Sequence, residues 1–489
     1  MPNSQSRTSF LPSLRFKPHA YGLLASLGFA ASAQGSLLLI SIDGLRPQFY
    51  GVNTSAPPSS ASDSPSASSV QMPYLSKLAR RGCSWAAVET VFPSLTYPAH
   101  TSLMTGQSPE IHGVTSNRLF DFKTGPTENW YFYAHQVKVP SLWSEANAAK
   151  KRVAIVRWPA TVGSNVTYLV PEIFGPEINP SVDWLEMKSQ IRPELLQELT
   201  EATKISGFTK VEETDEFSVR SAVHLWKKYH PDFLAVHLIQ ADLDQHFLGL
   251  GADKMEAGLR KLDHQIEELI SHVDLKKDTV VLVGDHGFAA AKNHFLINHW
   301  LESRGFLKTV ENGGKKKIQE WSVAGLAEGG MAYIYLNPEA KFDSKKTEEI
   351  WALLNQQSAG KYRLLSTLER RSFPGDSRAA FILVANPGWA IRGGLELPKK
   401  GTVDPTQSSY VTAEPMGHHG YLPKDSEMKT GLVIVGNGVE KTPRAGKRWR
   451  ETSLIALHSW LRWKLGLSGQ STPEPLAIFR ETPLTGRTD

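Results

Sequence analysis

Several short runs in this chain are apolar at nearly every position instead of at alternate ones. Ser36–Ile42 is the first, and it stops at Asp43-Gly44. Val153–Val156, Phe233–Leu238, Thr279–Val283 and Gly431–Val435 read the same way. A strand with no polar face is buried on both sides, as in a parallel sheet. Between these runs, helical spacing of apolar positions predicts helices over Met72–Arg81 and Lys254–His272. Strands alternating with helices specify an α/β fold, with a central, mostly parallel sheet and helices on both faces. From about 300 to 410 the pattern changes to short alternating runs, among them Met331–Leu336 and Ala380–Val384, which predict a small inserted subdomain. Residues 53–69, rich in Ser, Ala and Pro, read as a surface loop.

The first residues carry a different signal. Arg7, Arg15 and Lys17 precede an apolar stretch, Tyr21–Phe29, and then Ala31-Ser32-Ala33. Cations, a short apolar run and a small-residue site, in that order, predict a secretory signal over 1–33. The catalytic unit is then 34–489. Losing the signal takes the net charge from +5 to +2, too little for a nucleic-acid wrapper or a polybasic membrane binder. No other run is apolar enough to span a bilayer. The single cysteine, Cys83, excludes an intrachain disulfide and a multi-thiolate metal site, and reads as a core residue. An exported chain without disulfides suits a bacterial periplasm. Any metal must be held by carboxylates and by some of the 16 histidines.

In open α/β sheets, ligands bind beyond the carboxyl ends of the strands. Asp43 ends the first strand, and Asp242 and His246 follow the strand at 233–238. Asp285-His286-Gly287 ends the strand at 279–283, and His418-His419-Gly420 precedes the one at 431–435. One such Asp is ordinarily a helix cap or a turn residue. Four acid or His clusters at strand ends instead suit a divalent ion such as zinc. Shared between two ions, three ligands apiece leave open positions, the mark of catalysis. Thr96, bracketed by Pro93 and Pro98, offers a hydroxyl near a helix N-terminus that starts about Pro98. Taken alone, Thr96 reads first as a helix cap.

Phe92–His100 and Thr105–Asn117, with Ile42-Asp43-Gly44, Trp158-Pro159, Asp242-x-x-x-His246, Asp285-His286-Gly287 and His419-Gly420-Tyr421, closely resemble the nucleotide pyrophosphatase/phosphodiesterase family. That family belongs to the alkaline phosphatase superfamily, and the ordered motifs span most of the chain. The resemblance implies an alkaline-phosphatase-like fold, two zinc ions and a phospho-threonine intermediate at Thr96. It implies that Asp43, Asp285, His286 and Thr96 hold one zinc, and that Asp242, His246 and His419 hold the other. Asp244 and His418 are rivals by spacing. Asn117 matches the asparagine that donates to a non-bridging phosphate oxygen. Tyr97 stands where the family often has a Phe that stacks on a base, which makes it a candidate substrate contact or a core aromatic.

The sequence departs from the family at Leu95, where animal members often have Lys, and at Ala99, where Asn is frequent. The Cys-rich modules of the animal enzymes have no counterpart, so the chain is similar to a bare bacterial catalytic domain. The activity implied is hydrolysis of small phosphodiesters or pyrophosphates, with nucleotides first among the substrates. A phosphomonoesterase, a phosphonate hydrolase, a manganese phosphomutase and a non-catalytic zinc-binding homologue remain as alternatives. The Thr96 segment lacks the Cys/Ser motif that a sulfatase needs.

Overall fold

The computed structural model describes residues 35–51, 71–175, 179–397, 402–403, 409–439 and 448–468. The expected signal over 1–33 and the loop over 53–69 lie outside them.

Two eight-stranded sheets form the framework. In the central sheet the strands lie in the order Arg448–Ser453, Cys83–Glu89, Thr430–Gly436, Thr279–Val283, Leu37–Ile42, Phe233–Leu238, Val153–Val156 and Tyr168–Val170. All run in one direction except Thr430–Gly436, which is antiparallel to both neighbours. Every residue of Leu37–Ile42 is buried, and the strand divides its side chains between two cores. Leu38, Ile40 and Ile42 pack with residues of the helices Pro73–Arg81, Pro180–Ser189, Pro193–Thr203, Glu212–Tyr229 and Ala252–Ser271. Leu37 and Leu39 face Thr96–Thr105, Leu142–Ala148 and Leu454–Lys464 on the other side. That two-sided burial is why the strands lack a polar face. Cys83 is buried in the second of these cores.

The helix Thr96–Thr105 starts ahead of the expected Pro98. Pro98 still falls among the first helical residues, whose N–H groups need no intrahelical acceptor.

The second sheet is mostly antiparallel, in the order Tyr362–Leu364, Phe381–Ala385, Met331–Leu336, Val323–Gly329, Gly388–Arg392, Ala289–Leu296, Tyr410–His418 and Thr402–Val403. It begins just after Asp285-His286 and ends at His418, so its strands reach beyond both expected limits of the inserted segment. Its first long strand and its last pair with each other, with His418 opposite Ala289. The segment therefore leaves and re-enters the central sheet at one place.

Ile40 is fully enclosed beneath the helices. Ile40→Ala is expected to destabilise the protein by ~2–5 kcal/mol, the usual range for truncating a buried Ile. A denaturant-unfolding midpoint unchanged from wild type would contradict this packing.

Candidate active site

Strand register sets the positions of the acids. Ile42 lies opposite Leu238, and Ser41 opposite Val283, so Asp43, Asp242 and Asp285 all fall just past one edge of the sheet. Thr430–Gly436 runs the other way, and its entrance is therefore at that same edge. This brings in His419. The helix Gln240–Leu248 places Asp242 and His246 one turn apart on one face. Asp215 caps that helix, accepting from the N–H groups of Ile239 and Gln240 at 2.9 and 3.0 Å.

Two groups of ligand atoms converge. Asp43, Asp285 and His286 place theirs within 4.8 Å of one another. His286 Nε2 lies 3.2 Å from Asp285 Oδ2, 3.5 Å from Asp43 Oδ1 and 3.4 Å from Thr96 Oγ1. In the second group, His246 Nε2 lies 3.1 Å from His419 Nε2 and 3.6 Å from Asp242 Oδ1, and His419 Nε2 lies 3.7 Å from the same oxygen. The groups adjoin, because the His286 and His419 rings stack with centroids 3.8 Å apart.

The donor chemistry of this set fits cations. Each imidazole turns its Nδ1 to a backbone carbonyl: His419 to Ser94 at 3.0 Å, His246 to Gly417 at 2.9 Å, His286 to Gly287 at 3.2 Å. A carbonyl only accepts, so each Nδ1 carries the proton and each Nε2 presents a lone pair inward. Two such lone pairs 3.1 Å apart repel unless a cation lies between or beside them. Asp43 Oδ1, Asp242 Oδ1 and Asp285 Oδ2 are buried with no hydrogen-bond partner. Buried acceptors left in that state are costly. Burial first, then the charges of Asp285 and Asp242, push the Asp43 carboxyl well above the usual carboxylate range. Burial first, then neighbouring imidazoles, keep His286 and His419 neutral. Positive charge in the two groups removes all of these penalties at once.

Behind Asp43 lies a relay that sequence reasoning missed. His237 Nε2 stands 3.1 Å from Asp43 Oδ2, and its Nδ1 stands 2.9 Å from Glu172 Oε2. Burial alone lowers the His237 pKa, but the Glu172 and Asp43 carboxylates outweigh it and hold an imidazolium well above the ordinary range. His237 interrupts an otherwise apolar strand, Phe233–Leu238, and that interruption was the available signal. His100 braces the other side, with its Nε2 2.7 Å from Ser41 Oγ and its Nδ1 2.8 Å from the Thr96 carbonyl.

Thr96 opens the helix Thr96–Thr105 and is 8% exposed, facing a cavity of about 1090 Å³. The turn before it is stitched to the His419 segment. The Ser94 carbonyl accepts from Gly420 N–H at 2.8 Å as well as from His419, and the Ser94 hydroxyl donates to the Tyr421 carbonyl at 2.8 Å. Asn117 accepts the Tyr97 N–H through Oδ1 at 2.9 Å, which leaves its NH₂ group to the cavity it lines. Gly44 adopts φ +67°, and a Cβ there would come within 2.5 Å of the Phe288 ring.

Three expected positions fall elsewhere. Tyr97 is fully enclosed. Its hydroxyl donates to Glu172 at 2.9 Å, and its ring packs edge-on against Trp130 at 5.4 Å. It is thus a core aromatic and not a substrate contact, because successive residues of helix Thr96–Thr105 point in different directions and Thr96 takes the cavity side. Trp130 and Phe174 line the cavity in its stead. Asp244 faces away, accepting from Gln240 at 2.7 Å beside Gly258. His418 packs on His294, with ring centroids 5.2 Å apart, outside both groups.

A family model for type I phosphodiesterase/nucleotide pyrophosphatase matches residues 37–422, and the chain belongs to this family of enzymes. An uncharacterized pyrophosphatase/phosphodiesterase of Schizosaccharomyces pombe is 22% identical over 426 residues, covering 83% of this chain and 72% of that one. Rat ectonucleotide pyrophosphatase/phosphodiesterase family member 1 is 24% identical over 266 residues, which are 49% of this chain and 24% of the rat protein. This chain therefore aligns with only about a quarter of that relative's length. Among solved structures, human ectonucleotide pyrophosphatase/phosphodiesterase 5 superposes with a TM-score of 0.58 at 16% identity, covering 92% of this chain and 97% of that one. The murine counterpart, an inactive variant in complex with AMP, gives 0.56 at 16% identity, covering 88% and 95%. These likenesses show that the fold is alkaline-phosphatase-like.

Removing His237 leaves Asp43 Oδ2 without its support. His237→Ala is expected to weaken metal binding ~10–100-fold, the usual effect of losing a group that orients a ligand. Competition against a chelator measures this, and wild-type affinity would remove the relay from the account.

Proposed function

We propose that this chain hydrolyses phosphodiester or pyrophosphate bonds of nucleotides through a phospho-threonine at Thr96, with two zinc ions as cofactor. The observation that carries this reading is the convergence of Thr96 Oγ1, three carboxylates and three inward-facing Nε2 lone pairs, with Thr96, Asp242, His246 and His419 lining one cavity. Asp43, Asp285, His286 and Thr96 would hold one ion, and Asp242, His246 and His419 the other. Bound there, the two ions supply the positive charge that favours loss of the threonine proton and balances charge on the transferring phosphoryl oxygens. Zinc suits the mixed carboxylate and imidazole donors.

The protein's own residues do the rest. Thr96 Oγ1 attacks phosphorus as its proton passes to solvent, the Oγ1–P bond forms, and the bond to the leaving oxygen breaks, with the electron pair going to that oxygen. The Asn117 NH₂ group donates to a non-bridging oxygen, held in place by the Oδ1 contact to Tyr97 N–H. Water then attacks phosphorus from the side the leaving group vacated. The P–Oγ1 bond breaks, the monoester departs and the hydroxyl regains its proton. Trp130 and Phe174, edge to face with centroids 4.8 Å apart, offer aromatic surface to a nucleobase. The murine relative's complex with AMP supports a nucleotide as the retained half. Among the described residues no helix is long and apolar enough to cross a membrane. The export signal over 1–33 and a periplasmic location belong to the same reading.

Thr96→Ala is expected to abolish turnover of a nitrophenyl nucleotide diester while metal content stays at the wild-type level. Full activity in that variant would exclude Thr96 as the nucleophile. Asn117→Ala is expected to lower kcat by ~10²–10³-fold, the usual effect of removing one such donor. Exhaustive chelation should silence the enzyme and added zinc should restore it. Activity that survives chelation would refute the metal-dependent mechanism.

A further inference from the structure

The inserted sheet supplies part of the cavity wall, and its strand Gly388–Arg392 brings a cation to that wall. Arg118 donates to Glu328 at 3.0 Å and to Glu128 at 3.2 Å. Lys316 lies 3.0 Å from Glu302. Arg392, at the end of strand Gly388–Arg392, lines the same cavity and has no carboxylate partner among the described residues. Among the described residues its side chain has one hydrogen-bond contact, His294 Nδ1, 3.5 Å from Nη1. The like charge of Arg118 acts on it unfavourably. A guanidinium without a carboxylate partner in a concave site favours entry of an anion.

The position of Arg392 tells which part of a substrate it meets. The His294 ring packs on His418, and His418 lies 6.1 Å, centroid to centroid, from His246. Arg392 is thus tied through two imidazoles to the group formed by Asp242, His246 and His419. Attack by Thr96 comes from the opposite group, so in-line displacement expels the leaving oxygen toward this one.

We propose that Arg392 forms a subsite for a second phosphoryl group carried by the leaving half, so that the enzyme selects pyrophosphate-type bonds over simple esters. This rests on the hydrolytic reading of the site and names the substrate class within it. A planar guanidinium takes a phosphoryl group through two parallel hydrogen bonds, which Lys cannot match.

The test compares kcat/KM for two substrates with the same nucleoside. One is the nitrophenyl ester of the monophosphate, whose leaving group has no phosphoryl. The other is the triphosphate, whose leaving group is pyrophosphate. Arg392→Ala should lose at least ~10-fold on the triphosphate, the order expected for a charge-assisted hydrogen bond. On the nitrophenyl ester it should lose under ~3-fold by the same reasoning. Arg392→Lys should fall between, and inhibition by inorganic pyrophosphate should weaken in step. Lys317→Ala, which removes an exposed cation lining the same cavity, should leave the substrate ratio unchanged. Equal losses on both substrates, no loss on either, or a matching loss in Lys317→Ala would overturn the proposal. If wild type turns over neither substrate, the hydrolytic reading fails. Calorimetric binding of pyrophosphate to wild type and Arg392→Ala then decides the subsite, and equal affinities reject it.

Discussion

Three buried carboxylates and three imidazoles aim their free electron pairs at one small region, and in a medium of low polarity that arrangement repels itself. Neighbouring carboxylates drive each other's affinity for protons upward, and the His246 and His419 nitrogens face each other lone pair to lone pair. The fold tolerates this because four of these six groups are held from behind by fixed partners. Backbone carbonyls hold the three Nδ1 protons, and the Glu172–His237 pair holds Asp43. Ligands locked in place before the ion arrives lose little freedom when it binds, which favours both affinity and a fixed geometry.

The sheet makes this possible through direction alone. Seven strands deliver their ends to one edge, and the single reversed strand delivers its beginning there. His419 thus joins residues that lie far from it in sequence. Ser94 then fastens the turn before Thr96 to the same segment, so the Thr96 hydroxyl and the His419 imidazole are held by one set of bonds.

Much of this was legible along the chain, and the reason is geometric. Apolar runs mark the strands, and chemistry that sits immediately past a strand inherits its address, as Asp43, Asp242 and Asp285 do. The less legible residues owe their position to pairings between distant segments. Trp130, at the end of strand Gly125–Trp130, and Phe174 flank the cavity only because their separate segments pack on each other, and Arg392 reaches it only through the register of the second sheet with Ala289–Leu296. Tyr97 went the other way. Its neighbour Thr96 faces the cavity, and a helix cannot turn two successive residues to the same side. His237 was visible as a lone polar residue in a buried strand, but its partner Glu172 lies in a separate segment, and without the partner the signal has no direction.

The inserted sheet leaves between His286 and His419 and closes on itself at the His418–Ala289 pair. That closed neck separates two kinds of inheritance. Sequence change beyond it can lengthen hairpins, exchange cations or reshape the outer wall, while the stacked imidazoles below keep their spacing. A lineage built on this plan is free to change what it recognises without renegotiating how it cuts.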